Sequence, residues 1–395
     1  MIGCVDMRIR RFISKMDVPL LITTVILFIF GLLNIVNASS QAVVLRYDQG
    51  IYDYFNKQLL ILIVGFFIFL FLINMPTKKY YKYIVPIYLG ELGLLVYLYL
   101  FGDQYLGSTN WLKIAGFTLQ PSEFAKPIMI VTVSLLIEKF TSRLRNNKKY
   151  TRVDHFKMIW IIILFGVLFP GLVFLQKDLG TTIILVSILG VIFLASPIQR
   201  EEKLQTLGVL VVLLIMGLFV YSIKSGGNLL SAEQKSRLDF HDPCSSYEEG
   251  GYQICNGFIA INSGGLFGVG IGNSKQVSYL PESHTDSVFA IIAEEYGFIV
   301  CTFIFFLYLI VLARIFNLSS RVTDIRSRYI CLGVGVYIAV HIIVNLGGLF
   351  GSMPLTGVPL PFLSYGGSYA LSLICSLSIV QRICIEKNTE KIKIK

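Results

Sequence analysis

The chain has 395 residues, of which 55% are hydrophobic and 15% charged, with a mean hydropathy of +0.71 and a formal net charge of +10. Too few polar side chains are present to coat a soluble globule of this size, which excludes a soluble globular fold. The basic excess reads as membrane topology and attraction to anionic lipid, and it does not suggest a nucleic-acid surface.

Windows of about 20 mostly apolar residues, long enough to cross a hydrocarbon core, predict spans near 18–37, 58–74, 84–101, 122–138, 158–175, 179–197, 205–223, 287–313, 330–351 and 366–385. Backbone polar groups must be paired in lipid, so each span is expected to be a helix. The predicted fold is an all-α polytopic membrane protein of about ten transmembrane helices, read as a single membrane domain over 1–395. The first apolar stretch is too long for a signal peptide and no small-residue cleavage site follows it, so it is read as retained. Lys and Arg stay on the cytoplasmic side. With the N-terminus inside, and Arg382 at the inner end of the last span counted with the C-terminal tail, 25 of the 34 Lys and Arg fall on the inner side and eight outside (Arg46, Lys57, Lys113, Lys177, Lys224, Lys235, Arg237 and Lys275), with Lys126 in a span. The expectation is a multi-pass protein of the cell (plasma) membrane with both termini cytoplasmic and the basic 139–157 connection as a solvated inner face.

Between spans three and four, GDQYLGSTNWLKIAGFTLQP (102–121) alternates apolar and polar residues around Trp111, as an interfacial hairpin or a substrate contact would. Next, QPSEFAKP places Glu123 and Lys126 three apart, on one helix face and within ion-pair reach. In QKDLGTT, Asp178 occupies a tight outer turn where it can cap the following helix.

Between spans seven and eight, residues 224–286 form an outer loop of 63 residues. That is far longer than a structureless connection in a compact protein, and it is the first place to look for function. It contains Arg237, and it holds Cys244 and Cys255 in DPCSSYEEGGYQICNG on the oxidising side, where a loop-closing disulfide is open to them. Cys4, Cys301, Cys331, Cys375 and Cys384 lie in spans or on the inner side and read as reduced thiols. No Cys or His cluster has zinc-site spacing. The loop ends in PESHTD, with Glu282, His284 and Asp286, and the span that follows contains Glu294 and Glu295, read as paired inside the bundle. GVPLPFLSYGGS (357–368) adds the hydroxyls of Ser364 and Tyr365 beside Gly366 and Gly367. Glu91 stands alone in span three, while His341 and Asn345 share a helix face and read as an interhelical hydrogen-bond pair.

Ionisable residues in or at the ends of spans are internally paired or functional. A transporter or flippase would distribute them through the midplane, where Glu91, Glu294 and Glu295 lie. An enzyme would keep them at the outer mouth, where Glu123, Asp178 and Asp286 fall, and a scaffold would leave Asp286 replaceable. Depth favours the enzyme.

NWLKIAGFTLQPSEFAKP, QKDLGTT, GYQICNGFIAINSGGLFGVGIGNSKQ, YLPESHTDSVFAIIAEEYGF and TGVPLPFLSYGGS together, and in this order, resemble the SEDS family (shape, elongation, division and sporulation), whose members include FtsW and RodA. With the ten spans they cover nearly the whole chain. The resemblance implies a peptidoglycan glycosyltransferase that polymerises lipid II into glycan strands on the outer membrane face. It implies a class B penicillin-binding protein (transpeptidase) and other division-machinery proteins as partners, within membrane lipids and without nucleic acid. GLFGVGIGNSKQ is closer to the FtsW-type pattern than to the RodA type, and the Cys-bearing segment resembles members from Gram-positive bacteria. A role in septal wall synthesis is therefore expected, with an elongation- or sporulation-type polymerase or a lipid II flippase as alternatives.

Carried over by position, the resemblance makes Asp286 the catalytic aspartate and matches Glu123, Lys126 and Asp178 to motif residues. Two departures stand out. Thr109 and Asn110 occupy positions where the family is usually basic before the Trp, and Lys177 stands where it usually has Pro, which puts in doubt an anionic-substrate contact unless Lys113 or Lys177 substitutes. The implied reaction is an inverting displacement of an α-linked diphosphate, with Asp286 as base or acceptor-orienting group and its pKa raised by partial burial. Lys126, Arg237 or a divalent cation (Mg²⁺ or Mn²⁺, with Asp286 as a candidate ligand) would serve the diphosphate. The Glu123–Lys126 pair reads as a positioning bridge, His284 as a loop cap or phosphate contact, and Ser364 and Tyr365 as groove-facing or locally bonded.

Overall fold

The structure is a computed structural model, and it describes residues 14–46, 52–102, 109–114, 117–146, 152–224, 243–245 and 251–394. Three helices, α1 (Val18–Arg46), α2 (Asp53–Asn74) and α3 (Thr77–Phe101), lead into a two-stranded antiparallel hairpin of β1 (Leu112–Ile114) and β2 (Phe117–Leu119). Four more follow, α4 (Pro121–Asn146), α5 (Arg152–Leu175), α6 (Leu179–Ala195) and α7 (Arg200–Lys224). After the short α8 (Tyr252–Gly264) come α9 (Val288–Arg321), α10 (Ile325–Leu349) and α11 (Gly367–Ile394).

A helix coincides with each of the ten predicted spans, and among the described residues seven of them are long and apolar enough to cross a membrane by themselves. The protein is thus an all-α polytopic membrane protein. Helix α6 has only 17 residues, and α4 carries Glu123, Lys126, Glu138 and Lys139 within its length. Helices α1 and α9 run on to Arg46 and Arg321, past the predicted 37 and 313, because hydropathy marks the lipid-buried part of a helix rather than its end. The apolar faces meet in one large cluster that includes Tyr88, Phe169, Ile188, Ile292 and Tyr337, while Phe66, Phe67, Phe71 and Phe101 of α2 and α3 point outward, as a lipid-facing surface would.

Residues 102–121 contain the expected hairpin, with Leu112 opposite Leu119 and Lys113 opposite Thr118. In the long connection, α8 and a 3₁₀ turn at Gln276–Ser278 supply local order among the described residues, and Cys244 and Cys255 form a disulfide with Cα atoms 5.0 Å apart. The chain after α8 crosses α9 where Gly297, at φ 76°, interrupts the helix, and a Cβ there would collide with the backbone of Leu266–Gly268.

Glu295 reaches another helix through Asn37 of α1, but the remaining partners of Glu294 and Glu295 lie in the long connection. Glu294 accepts from Ser274 Oγ (2.5 Å) and the amides of Lys275 (3.1 Å) and Gln276 (3.2 Å), while Glu295 accepts from the Gly272 amide (3.0 Å) and Asn37 Nδ2 (3.2 Å). Irregular backbone beside a spanning helix needs such acceptors for its amides.

The start of α2, the hairpin, the starts of α4, α6, α9 and α11, and the end of α10 gather at one end of the bundle. The opposite end is braced by ion pairs, Arg314–Asp17 at 2.9 Å and Arg382–Glu386 at 3.0 Å.

Candidate active site

Asp286 lies two residues before α9, in a segment folded by amide bonds from Thr285 (3.0 Å) and Ser287 (3.4 Å) to Glu282 O. Glu282 takes φ 51°, an uncommon backbone state for a residue with a side chain. Its exposed carboxylate accepts from Thr285 Oγ1 at 2.9 Å. Ser283 fixes the segment to α1 by donating to Ala38 O at 2.7 Å.

Asp286 itself is 7% exposed. Its Oδ1 accepts from Gln253 Nε2 at 3.1 Å and weakly from Ser287 Oγ at 3.4 Å, and its carbonyl accepts from Asn345 Nδ2 at 2.8 Å. No side chain among the described residues donates to Oδ2. Gly357, at φ 69°, presents bare backbone there, and a Cβ would lie 3.9 Å from that oxygen. Burial above all, and then the charge of Glu282, push the Asp286 carboxyl up to about 7, against the hydrogen bonds from Gln253, its own backbone and Ser287. A carboxyl that titrates near neutrality, with one oxygen open, is suited to accept a proton.

Aromatic rings flank it. The His284 ring is 4.5 Å from that of Tyr54 and 5.6 Å from that of Tyr365, and the two tyrosine rings are 4.9 Å apart. His284 O accepts from the Tyr365 amide at 2.8 Å, whereas its buried Nδ1 has no partner among the described residues. Burial pushes the imidazole pKa down despite the nearby Glu282, so the ring is neutral at neutral pH. Lys57 brings a cation to this cluster, with Nζ 5.8 Å from the Tyr54 centroid, and Gln58 accepts from the Gly366 amide at 3.3 Å. Ser364 is locally bonded, since Oγ accepts from the Leu360 amide at 2.7 Å and closes the turn in which Phe362 has φ 67°.

Behind the site, Lys126 Nζ is 2.7 Å from both oxygens of Glu123 and 3.1 Å from His341 Nε2, with the lysine wholly buried. His341 Nδ1 is 3.2 Å from Pro359 O, so it carries the proton and Nε2 accepts from Lys126. All three ammonium donors are taken, which fits a supporting role and leaves none for a diphosphate. Asn345, one turn further along α10, donates to Asp286 O and Val358 O at 2.8 Å each. His341 and Asn345 are therefore not bonded to each other. Each instead clamps the 357–360 segment, and Asn345 also holds the Asp286 backbone.

Asp178 is engaged on both oxygens. Oδ1 accepts from the Thr181 amide (3.0 Å) at the start of α6, and Oδ2 accepts from Asn110 Nδ2 (2.8 Å) and Gln120 Nε2 (3.0 Å), which latches both ends of the hairpin region. Asn110 at the departure from the basic pattern thus serves the latch. Lys177 is exposed and has φ 64°, a conformation closed to proline, so this turn differs from one built on Pro. Arg237 lies outside the described residues. Among the described residues no three His, Cys, Asp or Glu converge as metal ligands.

Gln253, Tyr54 and Gln58 escape a reading by motif. Gln253 stands inside the quoted GYQICNG, and nothing in the sequence separates it from the other polar residues of that helix, Asn256, Asn262 and Ser263. A shallow concavity of about 420 Å³ lined by Gly272, Asn273, Ser274, Lys275, Ser278 and Tyr279 includes none of Asp286's partners.

The family model described as "Cell cycle protein" (FTSW_RODA_SPOVE) matches residues 18–389. The chain is 31% identical over 382 residues to the probable peptidoglycan glycosyltransferase FtsW of Bacillus subtilis, covering 95% of this chain and 92% of that protein. It is 30% identical to the stage V sporulation protein E of the same organism over 376 residues, 93% of this chain and 96% of that one. Its fold is similar to that of a chain in a solved structure described as "Structural coordination of polymerization and crosslinking by a peptidoglycan synthase complex", with a TM-score of 0.71, 21% identity, and coverage of 94% of this chain and 98% of the other.

Proposed function

The chain belongs to the FtsW/RodA/SpoVE family of cell cycle proteins, and from that membership we infer that it is a peptidoglycan glycosyltransferase which polymerises lipid II for the septal wall. The 31% identity to FtsW over nearly the whole of both chains supports the division role, and the 30% identity to the sporulation protein keeps the sporulation-type polymerase as the second reading. The single observation that carries the chemistry is Asp286, buried beside a glycine, with one carboxylate oxygen held and the other open, and titrating near neutrality.

In this reading an acceptor sugar hydroxyl donates its proton to Asp286 as its oxygen bonds the donor's anomeric carbon. The bond from that carbon to the diphosphate oxygen breaks on the opposite face, and the diphosphate leaves with the electron pair. One acid suffices, because inversion needs no covalent glycosyl-enzyme and hence no second catalytic carboxylate as nucleophile. Tyr54, His284 and Tyr365 offer ring faces for a sugar, and Lys57 offers positive charge at the same mouth. A divalent cation, Mg²⁺ or Mn²⁺, would find only the open oxygen of Asp286 here, which is the proton acceptor, and no three acids or histidines converge among the described residues, so the residues present do not fit a resident cation and no step is routed through one. The site end of the bundle faces outward and both termini lie in the cytoplasm, as the Lys and Arg distribution argues. A class B penicillin-binding protein is the expected partner, with support from the likeness to a chain of a peptidoglycan synthase complex.

The test is lipid II polymerisation by the purified protein, with the partner's transpeptidase and any glycosyltransferase activity removed. Wild type is expected to make glycan and Asp286→Asn none. Undiminished synthesis by the Asn variant would remove Asp286 from the chemistry.

A further inference from the structure

We infer that Gln253 is the positioning residue for Asp286 and that the Cys244–Cys255 disulfide holds Gln253 in place. The inference rests on Asp286 being the proton acceptor. Gln253 is the second residue of α8, and its Nε2 donates to Asp286 Oδ1 at 3.1 Å and to Ser287 Oγ at 2.9 Å, with Pro281 O at 3.5 Å. Holding Oδ1 fixes the rotation of the carboxylate and leaves Oδ2 directed at the bare backbone of Gly357. A neutral amide donor also favours the ionised carboxylate, which burial and Glu282 oppose.

Glu282, in the same segment, is the charged group that faces Asp286, and His284 beside it is neutral. Helix α8 presents Gln253 and α10 presents Asn345, neither of which titrates, and residues 357–359 carry no ionisable side chain.

Helix α8 has 13 residues and no side-chain cap at Gly251. Alone, a helix of that length is marginal. Its first turn is secured from outside, because Cys255 is bonded to Cys244 and the Pro243 backbone packs so tightly on Gly251 that a Cβ there would collide with it. Gln253 and Cys255 belong to the same turn, so the bond that fixes one fixes the other. Cys244 is exposed, which opens the disulfide to a reductant.

The experiment is the pH profile of lipid II polymerisation by the full-length protein with its partner, whose own activities are removed. Gln253→Ala is expected to move the acid midpoint upward by about one pH unit, with the rate recovering above about pH 9, a pattern that simple loss of fold cannot give. Treating wild type with a phosphine, which is oxidised as the disulfide becomes two thiols, should move the midpoint in the same direction, and should leave Gln253→Ala unchanged. An unmoved midpoint in folded Gln253→Ala overturns the positioning role. A phosphine effect equal in the two proteins, or no effect on wild type after thiol counting shows complete reduction, overturns the tether. The wild-type arm does not depend on the variant folding. Failure of the parent reading looks different: Asp286→Asn would polymerise, and the wild-type profile would lack an acid limb.

Discussion

Asp178 and Asp286 stand at the same end of the bundle, each just before a helix, and each was legible in the sequence as a motif acid. Their surroundings differ. Asp178 fills both oxygens with three donors, a helix amide and the side chains of Asn110 and Gln120. Asp286 is more deeply buried yet has one oxygen held, by Gln253 and weakly by Ser287, and the other without a side-chain donor among the described residues. An acid whose acceptors are filled holds the fold together, and one left partly bare, at a cost to stability, is available for chemistry. The Glu123–Lys126–His341 cluster falls on the side of Asp178, since its charges are matched within the protein.

The sharpest way to break this contrast is Asp286→Asn, expected to lower the polymerisation rate by about 10²–10⁴-fold, as loss of a general base does. Its melting temperature at pH 8 should be unchanged or higher. A carboxyl raised from 3.8 to about 7 on folding penalises the folded state increasingly as pH rises through that window, and the amide removes the penalty. Glu123→Gln tests the other class. Breaking a buried pair on one side should cost about 3–5 kcal/mol in thermal unfolding in detergent, with much of it recovered in Glu123→Gln/Lys126→Met. Asp178→Ala should cost about 1–2 kcal/mol as a lost helix cap, with activity falling only as the folded fraction falls. Smallest is the response of the intact protein to acid. Asp286 must be ionised to accept a proton, so the rate should fall by about tenfold per pH unit below a midpoint near 7, read from initial rates of glycan synthesis.

The ten spans were legible because an apolar run of bilayer length has few other uses, and the helices coincide with them. Helix α8 was not, since Tyr252–Gly264 is too short to span and its neighbours are Gly and Ser. The break at Gly297 depends on backbone arriving from Gly268, which no local pattern announces. At the site, Asp286 was marked by PESHTD, but the difference between it and Asp178 was invisible in sequence. It arises from partners 58 and 68 residues away for Asp178 and 33 away for Asp286. For the same reason Glu294 and Glu295 read as bundle acids, although apart from Asn37 of α1 their donors lie in the loop that crosses them.

The most direct test of the contrast is to purify Asp286→Asn and Asp178→Asn side by side and measure both melting temperature and lipid II polymerisation. Asp286→Asn is expected to melt no lower than wild type and to make no glycan, while Asp178→Asn is expected to melt lower and still polymerise. The reverse pattern, a destabilised but active Asp286→Asn beside a stable and inactive Asp178→Asn, would contradict both expectations.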